Sequence, residues 1–131
     1  MLRGLERAGP PQSLLTVALT SNIICIYKVL YEWDERKNRQ NQRKHGGISF
    51  ELATLVFEDE RCLIGPDRID ETGEQRWHAL GAVSIEPGVG AVLLVVHAYR
   101  EDGDGEAIIR IISERRADKD DYRRYQKQEI D

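Results

Sequence analysis

The chain has 131 residues and a formal net charge of −4, with 19 lysines and arginines against 23 aspartates and glutamates. This length predicts one domain with one core, and a composition of 40% hydrophobic and 32% charged residues argues against a disordered chain or an integral membrane protein. An acidic protein does not bind nucleic acid over its whole surface, so any such contact must come from a local patch.

The first 30 residues combine two arginines with an apolar run, PPQSLLTVALTSNIICIYKVL, that superficially resembles a signal peptide. Polar residues interrupt the run and no A-x-A cleavage site follows, so the pattern argues against secretion or anchoring and leaves a membrane-tethered regulator as an alternative. Met1 is the only methionine. We expect residues 1–28 to be a poorly ordered extension or a mis-assigned start, and residues 29–131 to form the domain.

The cysteines and histidines do not form a recognisable metal motif. Cys25 and Cys62 lie far apart without CxxC spacing, which predicts free thiols in a reducing cytoplasm. The three histidines, at positions 45, 78 and 97, lack the spacing of zinc ligands. We therefore predict no metal and no cofactor.

Two helices are predicted after a short strand at residues 31–33. Asp34 is placed to cap a helix that runs to about His45, where a glycine can adopt the left-handed conformation. Ser49 can cap a second helix that continues to about Phe57 and carries apolar residues at helical spacing. The second helix therefore packs on the core.

The first helix has a cationic surface. Positions 36–45 hold five cations, a histidine and no carboxylate, and Lys37, Asn41 and Lys44 follow a spacing that places them on one helical face. The pattern fits either an ordinary solvated surface helix or a surface that binds a polyanion.

Strands dominate from Arg61 onward. The segment RCLIGPD is read as a short strand closed by a turn at residues 65–67, and DETGE as a second turn. RWHALGAVS, AVLLVVHAYR and EAIIRIIS follow as strands, separated by the turns EPGVG and EDGDG, and a helix capped by Asp118 ends the chain. The predicted fold is α+β: an antiparallel β-sheet with two N-terminal helices on one face and a C-terminal helix at its edge.

Polar side chains inside these strands indicate a site. Residues two apart in a strand share a face. If the strands pair in a suitable register, five polar side chains would lie together on one face of the sheet, with Arg115 and Arg116 at its end. Each residue alone is compatible with an ordinary edge histidine or an ion-paired strand arginine. Together they favour a phosphodiester substrate, because cations neutralise phosphates and histidine transfers protons. The five residues are Arg76, His78, His97, Tyr99 and Arg110.

The sequence resembles the BrnT toxins of type II toxin–antitoxin pairs over about residues 30–126. The resemblance begins with the YEWD strand and Lys37, and continues in the helical region with N-x-x-K-H-G, S-F and A-x-x-x-F. In the strands it is carried by an arginine that opens one strand, by V-V-H with Arg100, and by R-I-I-S-x-R-x-A. Gly47 is inserted relative to the family pattern, and Ala98 replaces the usual threonine. The matching residues in the helical region and the first of these strands are Asn41, Lys44, His45, Gly46, Ser49, Phe50, Ala53, Phe57 and Arg76.

The resemblance implies a RelE-like fold and an endoribonuclease that stops translation. It also implies neutralisation by a BrnA-type antitoxin, with DNA reached only through that partner. The ribose 2′-OH is the nucleophile, so cleavage needs no metal and leaves a 2′,3′-cyclic or 3′-phosphate and a 5′-hydroxyl. The alternative is a non-catalytic RNA- or protein-binding module that uses the same basic face.

Roles follow for ten residues. His97 is the predicted proton-transfer residue, with Tyr99 and His45 as alternatives, and Arg76 and Arg110 bind the reacting phosphate. The predicted RNA-binding residues are Lys37, Lys44, Ser113, Arg115 and Arg116.

Overall fold

A computed structural model describes residues 29–128. The predictions made for residues 1–28, including that for Cys25, lie outside the described residues. Cys62 is a free thiol, as predicted. None of the helices formed by residues 29–128 has the length and apolar character needed to span a bilayer.

Five strands form one sheet in the order β1-β5-β4-β3-β2. The antiparallel meander from β2 to β5 is confirmed, but β1 lies parallel to β5, so the prediction of a purely antiparallel sheet is wrong. Parallel neighbours need a long crossover connection, and the helices and the meander that separate β1 from β5 in the chain supply it. The strands are β1 (Leu30–Glu32), β2 (Leu63–Ile69), β3 (Gln75–Glu86), β4 (Val89–Glu101) and β5 (Ala107–Arg116).

Within residues 29–128 three helices accompany the sheet: α1 (Glu35–Lys44), α2 (Phe50–Ala53) and α3 (Lys119–Lys127), with a 3-10 segment (Thr54–Glu58) continuing α2. The predicted caps are confirmed. Asp34 accepts hydrogen bonds from the first amides of α1, Ser49 from an amide of α2, and Asp118 forms a capping box in α3. Gly46 and Gly47, which follow α1, both have positive φ (74° and 83°), a conformation that costs other residues free energy.

Strand β2 differs from its prediction. The expected turn at residues 65–67 is wrong, because β2 continues through them and Pro66 pairs with Trp77 of β3. β2 is an edge strand, and an edge strand tolerates a proline because one side of it has no ladder partner. The register slips between Pro66 and Ile69.

The core lies between α2 with its 3-10 segment and one face of the sheet, which we call the helix face. Phe50, Ala53 and Val56 pack there, each fully buried. The opposite face of the sheet is called the second face, and α3 reaches the sheet at β3. The strand residues of the core cluster include Ala79, Leu93, Val95, Ile109 and Ile111.

Candidate nucleic-acid site

The register of β3 and β4 separates the residues that were expected to share a face. His97 pairs with Trp77, so these two side chains lie on the same face of the sheet. Arg76 and His78 flank Trp77 and therefore point to the other face, because successive strand residues alternate. Arg110 pairs with Ala98, which is next to His97 in β4, so the Arg110 side chain also points to the face opposite that of His97. The prediction that one face displays all five polar residues is wrong.

His97 belongs to the core. It is fully buried, and its ring packs edge-on against Phe57 (centroids 4.9 Å apart) and Tyr99 (5.0 Å). Burial lowers the pKa of His97 to about 4 and raises the pKa of Tyr99, so both side chains are uncharged at neutral pH. His97 is therefore shielded from a polyanion, whereas Tyr99 is half-buried beside it.

The second face holds cations that are already paired. Its ion pairs include Arg76–Asp70 (3.2 Å) and Arg110–Glu74 (2.6 Å), and Nδ1 of His78 lies 3.6 Å from a carboxylate oxygen of Asp67. The hydroxyl of Thr72 and backbone amides bond to Asp70 and hold its pKa well below its usual range, so it stays a carboxylate. A phosphate that binds Arg76 or Arg110 must compete with these carboxylates.

A β-bulge in β5 decides which of its side chains share the second face. The pairing with β4 skips Ile112, and an extra residue of this kind shifts the alternation by one. Ser113 and Arg115 therefore share the second face with Arg110, while Glu114 turns to the helix face.

Three of the predicted residues meet where β5 ends beside the C-terminus of α1. His45, Arg115 and Arg116, together with Ala117 and Asp118, line a groove of about 610 Å³. His45 is held as the C-cap of α1, its amide donating to the carbonyl of Asn41 (2.9 Å). The groove thus brings an imidazole from the helix to two guanidinium groups from the strand.

The two guanidinium groups differ in their partners. Arg115 donates to Asp121 of α3 (2.7 Å) and lies 4.0 Å from Asp118. Arg116 is exposed and forms no ion pair within residues 29–128. The positive charge of Arg116 is therefore available to an anion.

The cations of α1 extend this surface. Lys44 is exposed directly before His45, and Lys37 is exposed about two turns earlier on the helix. Asn41, which the helical spacing places on the same side of α1 as the two lysines, is buried against β5. Of the three residues, only Lys37 and Lys44 are therefore exposed to a ligand.

Glu114 is a residue that the sequence reasoning missed. It is 1% exposed, and the side-chain amide of Asn41 donates to its Oε2 (2.6 Å), whereas its Oε1 has no hydrogen-bond partner. Burial raises the pKa of Glu114 to about 7, and the bond from Asn41 and the charge of Arg116 oppose that rise. In the sequence, the signal for Glu114 was a carboxylate within a strongly apolar strand. The face to which this side chain points depends on the bulge at Ile112.

The groove can bind a phosphate and transfer a proton. A guanidinium without a carboxylate partner binds phosphate and stabilises extra negative charge on it, and an imidazole can exchange protons near neutral pH. Among residues 29–128 there is no cluster of three or more His, Cys, Asp or Glu side chains able to hold a metal ion.

One protein family matches the chain. Residues 33–121 match the family described as ribonuclease toxin, BrnT, of type II toxin–antitoxin system. No curated protein matches the chain. The matched segment covers more than half of the 131 residues and includes α1, strands β2 to β5 and the groove, whereas β1 lies just before it. The chain belongs to the BrnT family of ribonuclease toxins of type II toxin–antitoxin systems.

Proposed function

We propose that this toxin cleaves RNA at the groove of His45, Arg115 and Arg116, without a divalent metal. One observation carries the assignment: the groove joins a histidine to an arginine that has no carboxylate partner among the described residues. The cations of the second face, by contrast, are paired with carboxylates.

The reaction is a transesterification within the RNA. The 2′-oxygen attacks the adjacent phosphorus, the bond from phosphorus to the 5′-oxygen breaks, and the products are a 2′,3′-cyclic phosphate and a 5′-hydroxyl. His45 supplies a proton to the leaving 5′-oxygen, and a base from solvent takes the proton of the 2′-OH. Arg116 neutralises the extra charge on the phosphorane, helped by Arg115.

The remaining predicted residues take supporting roles in this proposal. Lys44 and Lys37 contact the phosphates on one side of the reacting bond, and Ser113 hydrogen-bonds to the RNA beyond Arg115. Arg76 and Arg110 contact RNA only if their carboxylate partners are displaced. His97 and Tyr99 support the core instead of contacting substrate.

The partner and the fold relationship rest on the family. A type II system includes an antitoxin, and we propose that this one is of the BrnA type, binds the toxin and is the route to operator DNA. We further propose a RelE-like fold, and a cytoplasmic location because RNA and ribosomes are there.

The test is cleavage of labelled RNA by the full chain in EDTA. His45→Gln should slow single-turnover cleavage by about 10²-fold or more, because acid–base help contributes typically ~10² to 10⁴-fold. Arg116→Gln should weaken RNA binding as well as slow cleavage, since it removes the phosphate contact. The new 5′ ends should be hydroxyls.

Arg68→Gln is the matched control. Arg68 is an exposed cation on β2, three strands away from β5, so its loss should leave the rate unchanged. Full activity of folded His45→Gln, or cleavage that EDTA abolishes and Mg²⁺ restores, would contradict the proposal.

A second candidate is a module that binds RNA without cutting it. It is favoured because the groove holds one imidazole and, among its described residues, no second acid–base group that is free to act: its carboxylate, Asp118, caps α3. In the same assay such a module would retard the labelled RNA and leave it intact.

A further inference from the structure

Glu114 lies behind the groove, at a position where a carboxyl group is costly. Its neighbours in the chain, Arg115 and Arg116, line the groove, and its partner Asn41 precedes His45 by one helical turn. A buried carboxyl with one unpartnered oxygen costs stability. A glutamine or an apolar residue would fill this place at a lower cost, so stability alone does not account for the carboxyl.

The hydrogen bonds at this position hold the Glu114 carboxyl against α1, and the register of β5 places Arg116 on the same face of the sheet, two residues along the strand. Asn41 makes two contacts with Glu114: its amide donates to Oε2 (2.6 Å), and its Oδ1 accepts from the backbone amide of Glu114 (3.3 Å). The side chain is therefore clamped to α1, and the charge that acts on it is that of Arg116.

We propose that Glu114 is a positioning residue of the groove that couples uptake of a proton to the binding of an RNA phosphate by Arg116. This inference rests on the proposed function, because it assumes that the groove binds the RNA backbone. Glu114 itself does not touch the substrate; it acts through Arg116.

The coupling follows from charge. When Glu114 is ionised it attracts Arg116 and lowers the positive potential of the groove, and when it is protonated the full charge of Arg116 faces the phosphate. A bound phosphate in turn disfavours the Glu114 carboxylate and raises its pKa further above about 7. By linkage, RNA binding then takes up protons and becomes tighter as pH falls through this range.

The elements packed around Glu114 bring mainly neutral or already paired groups toward it. From α1 the side chain meets the neutral amide of Asn41, and from β4 its register partner is Val95. The carboxylate of α2, Glu51, is bonded to Asn38. At the start of α3, Asp118 and Asp121 lie against Arg115. His45 and Asp118 line the groove beside the two arginines.

The probe is a short single-stranded RNA with 2′-O-methyl riboses, which binds but lacks the nucleophile. Its dissociation constant is measured from pH 8 to pH 5.5 for the wild-type chain and for Glu114→Gln. The wild type should gain roughly three- to fivefold in affinity between pH 8 and pH 6 beyond any gain in the variant, as expected if binding shifts the pKa of Glu114 by roughly half to one unit. Both proteins carry His45, so the difference between them reports Glu114.

Glu51→Gln is the matched control, because Glu51 is also bonded to an asparagine of α1 but is exposed. It should bind with the wild-type pH dependence. Calorimetry in buffers of different ionisation heat should show proton uptake by the wild type near pH 7 and less uptake by Glu114→Gln.

Carbon-detected NMR titration of the Glu114 carboxyl in the wild type keeps the proposal testable if the variant does not fold. RNA should raise the midpoint of that titration, and Arg116→Gln should abolish the effect. Equal pH dependence in wild type and folded Glu114→Gln, or a midpoint that RNA leaves unchanged, overturns the coupling. If Arg116→Gln leaves affinity unchanged at pH 7, the proposed groove itself is wrong; if it weakens binding and only the coupling is missing, the proposed function stands.

Discussion

At the scale of single residues, burial sets the charge of the titratable side chains. His97 is fully buried among aromatic rings, its Nε2 has no hydrogen-bond partner, and Nδ1 makes a long contact to the carbonyl of Val95 (3.4 Å). The cost of burying a charged imidazole keeps it neutral. A histidine in a strand can therefore resemble an acid–base group in the sequence and yet be part of the core.

This environment predicts the behaviour of His97→Leu, which preserves volume and removes the unpartnered nitrogen. The folded pKa, about 4, lies below the unfolded value of about 6.5. His97 therefore costs the wild type stability as pH falls from about 6.5 toward 4, by roughly 2 to 3 kcal/mol. The variant should lose less stability over that range and have similar stability, within about 1 kcal/mol, at pH 7.

Urea unfolding at several pH values measures the stability difference, and RNA cleavage provides the functional control. Because His97 is not placed to contact RNA, folded His97→Leu should cleave within roughly threefold of the wild-type rate, far less than the effect of losing acid–base catalysis. A loss of about 10²-fold in a folded variant would return His97 to the active site.

At the scale of elements, the 3-10 segment after α2 presses directly on β3. A Cβ atom at Gly81 would lie 2.7 Å from the carbonyl oxygen of Val56 and 2.8 Å from its Cγ1. Both distances are shorter than van der Waals contact, so a Cβ atom would clash with Val56. The 3-10 segment and β3 can approach this closely only because residue 81 has no side chain.

Gly81→Ala should therefore destabilise the protein by about 1 to 3 kcal/mol, the usual cost of overpacking. Gly90→Ala is the matched control on the neighbouring strand, where the added Cβ would meet only the Val83 carbonyl at 3.5 Å. Thermal unfolding of both variants measures the difference. Equal melting temperatures would show that the 3-10 segment shifts away at little cost.

The sequence predicts elements where the cause is local and fails where it depends on pairing. The caps at Asp34, Ser49 and Asp118 were predictable because each involves a side chain and amides within three residues. The position of His97 was not, because a register shift of one residue reverses the face of every side chain in a strand. The bulge at Ile112 and the parallel pairing of β1 likewise depend on residues far apart in the chain.

The candidate site was predicted only in part, because some of its residues are visible in the local sequence and others depend on strand pairing. His45 was predicted as an alternative proton-transfer residue and Arg115 and Arg116 as RNA-binding residues, and the structure brings the three together. Glu114 required knowledge of both the bulge and the contact with Asn41, which joins residues 73 positions apart.

At the scale of the whole molecule, an acidic protein carries a local run of cations on α1. The net charge is −4, yet α1 carries five cations between Arg36 and Lys44, and its C-terminus leads into the groove. Excess negative charge elsewhere repels RNA, so binding is directed to the cationic side. The same surface is available to an acidic segment of the antitoxin, which would neutralise the toxin by occupying the groove.

Expression in a bacterium tests this arrangement with the full chain. The wild-type protein, induced alone, should arrest growth and translation, and co-expression of the adjacent antitoxin gene should restore both. The double variant His45→Gln/Arg116→Gln should accumulate without arresting growth, because it lacks the proposed proton donor and the free guanidinium. Arg68→Gln should arrest growth like the wild type, since β2 lies three strands away from β5 in the sheet. Arrest by the folded double variant at the wild-type level would place the toxic activity outside the groove and leave the family's ribonuclease site to be sought on the second face, beginning with Arg76 and Arg110.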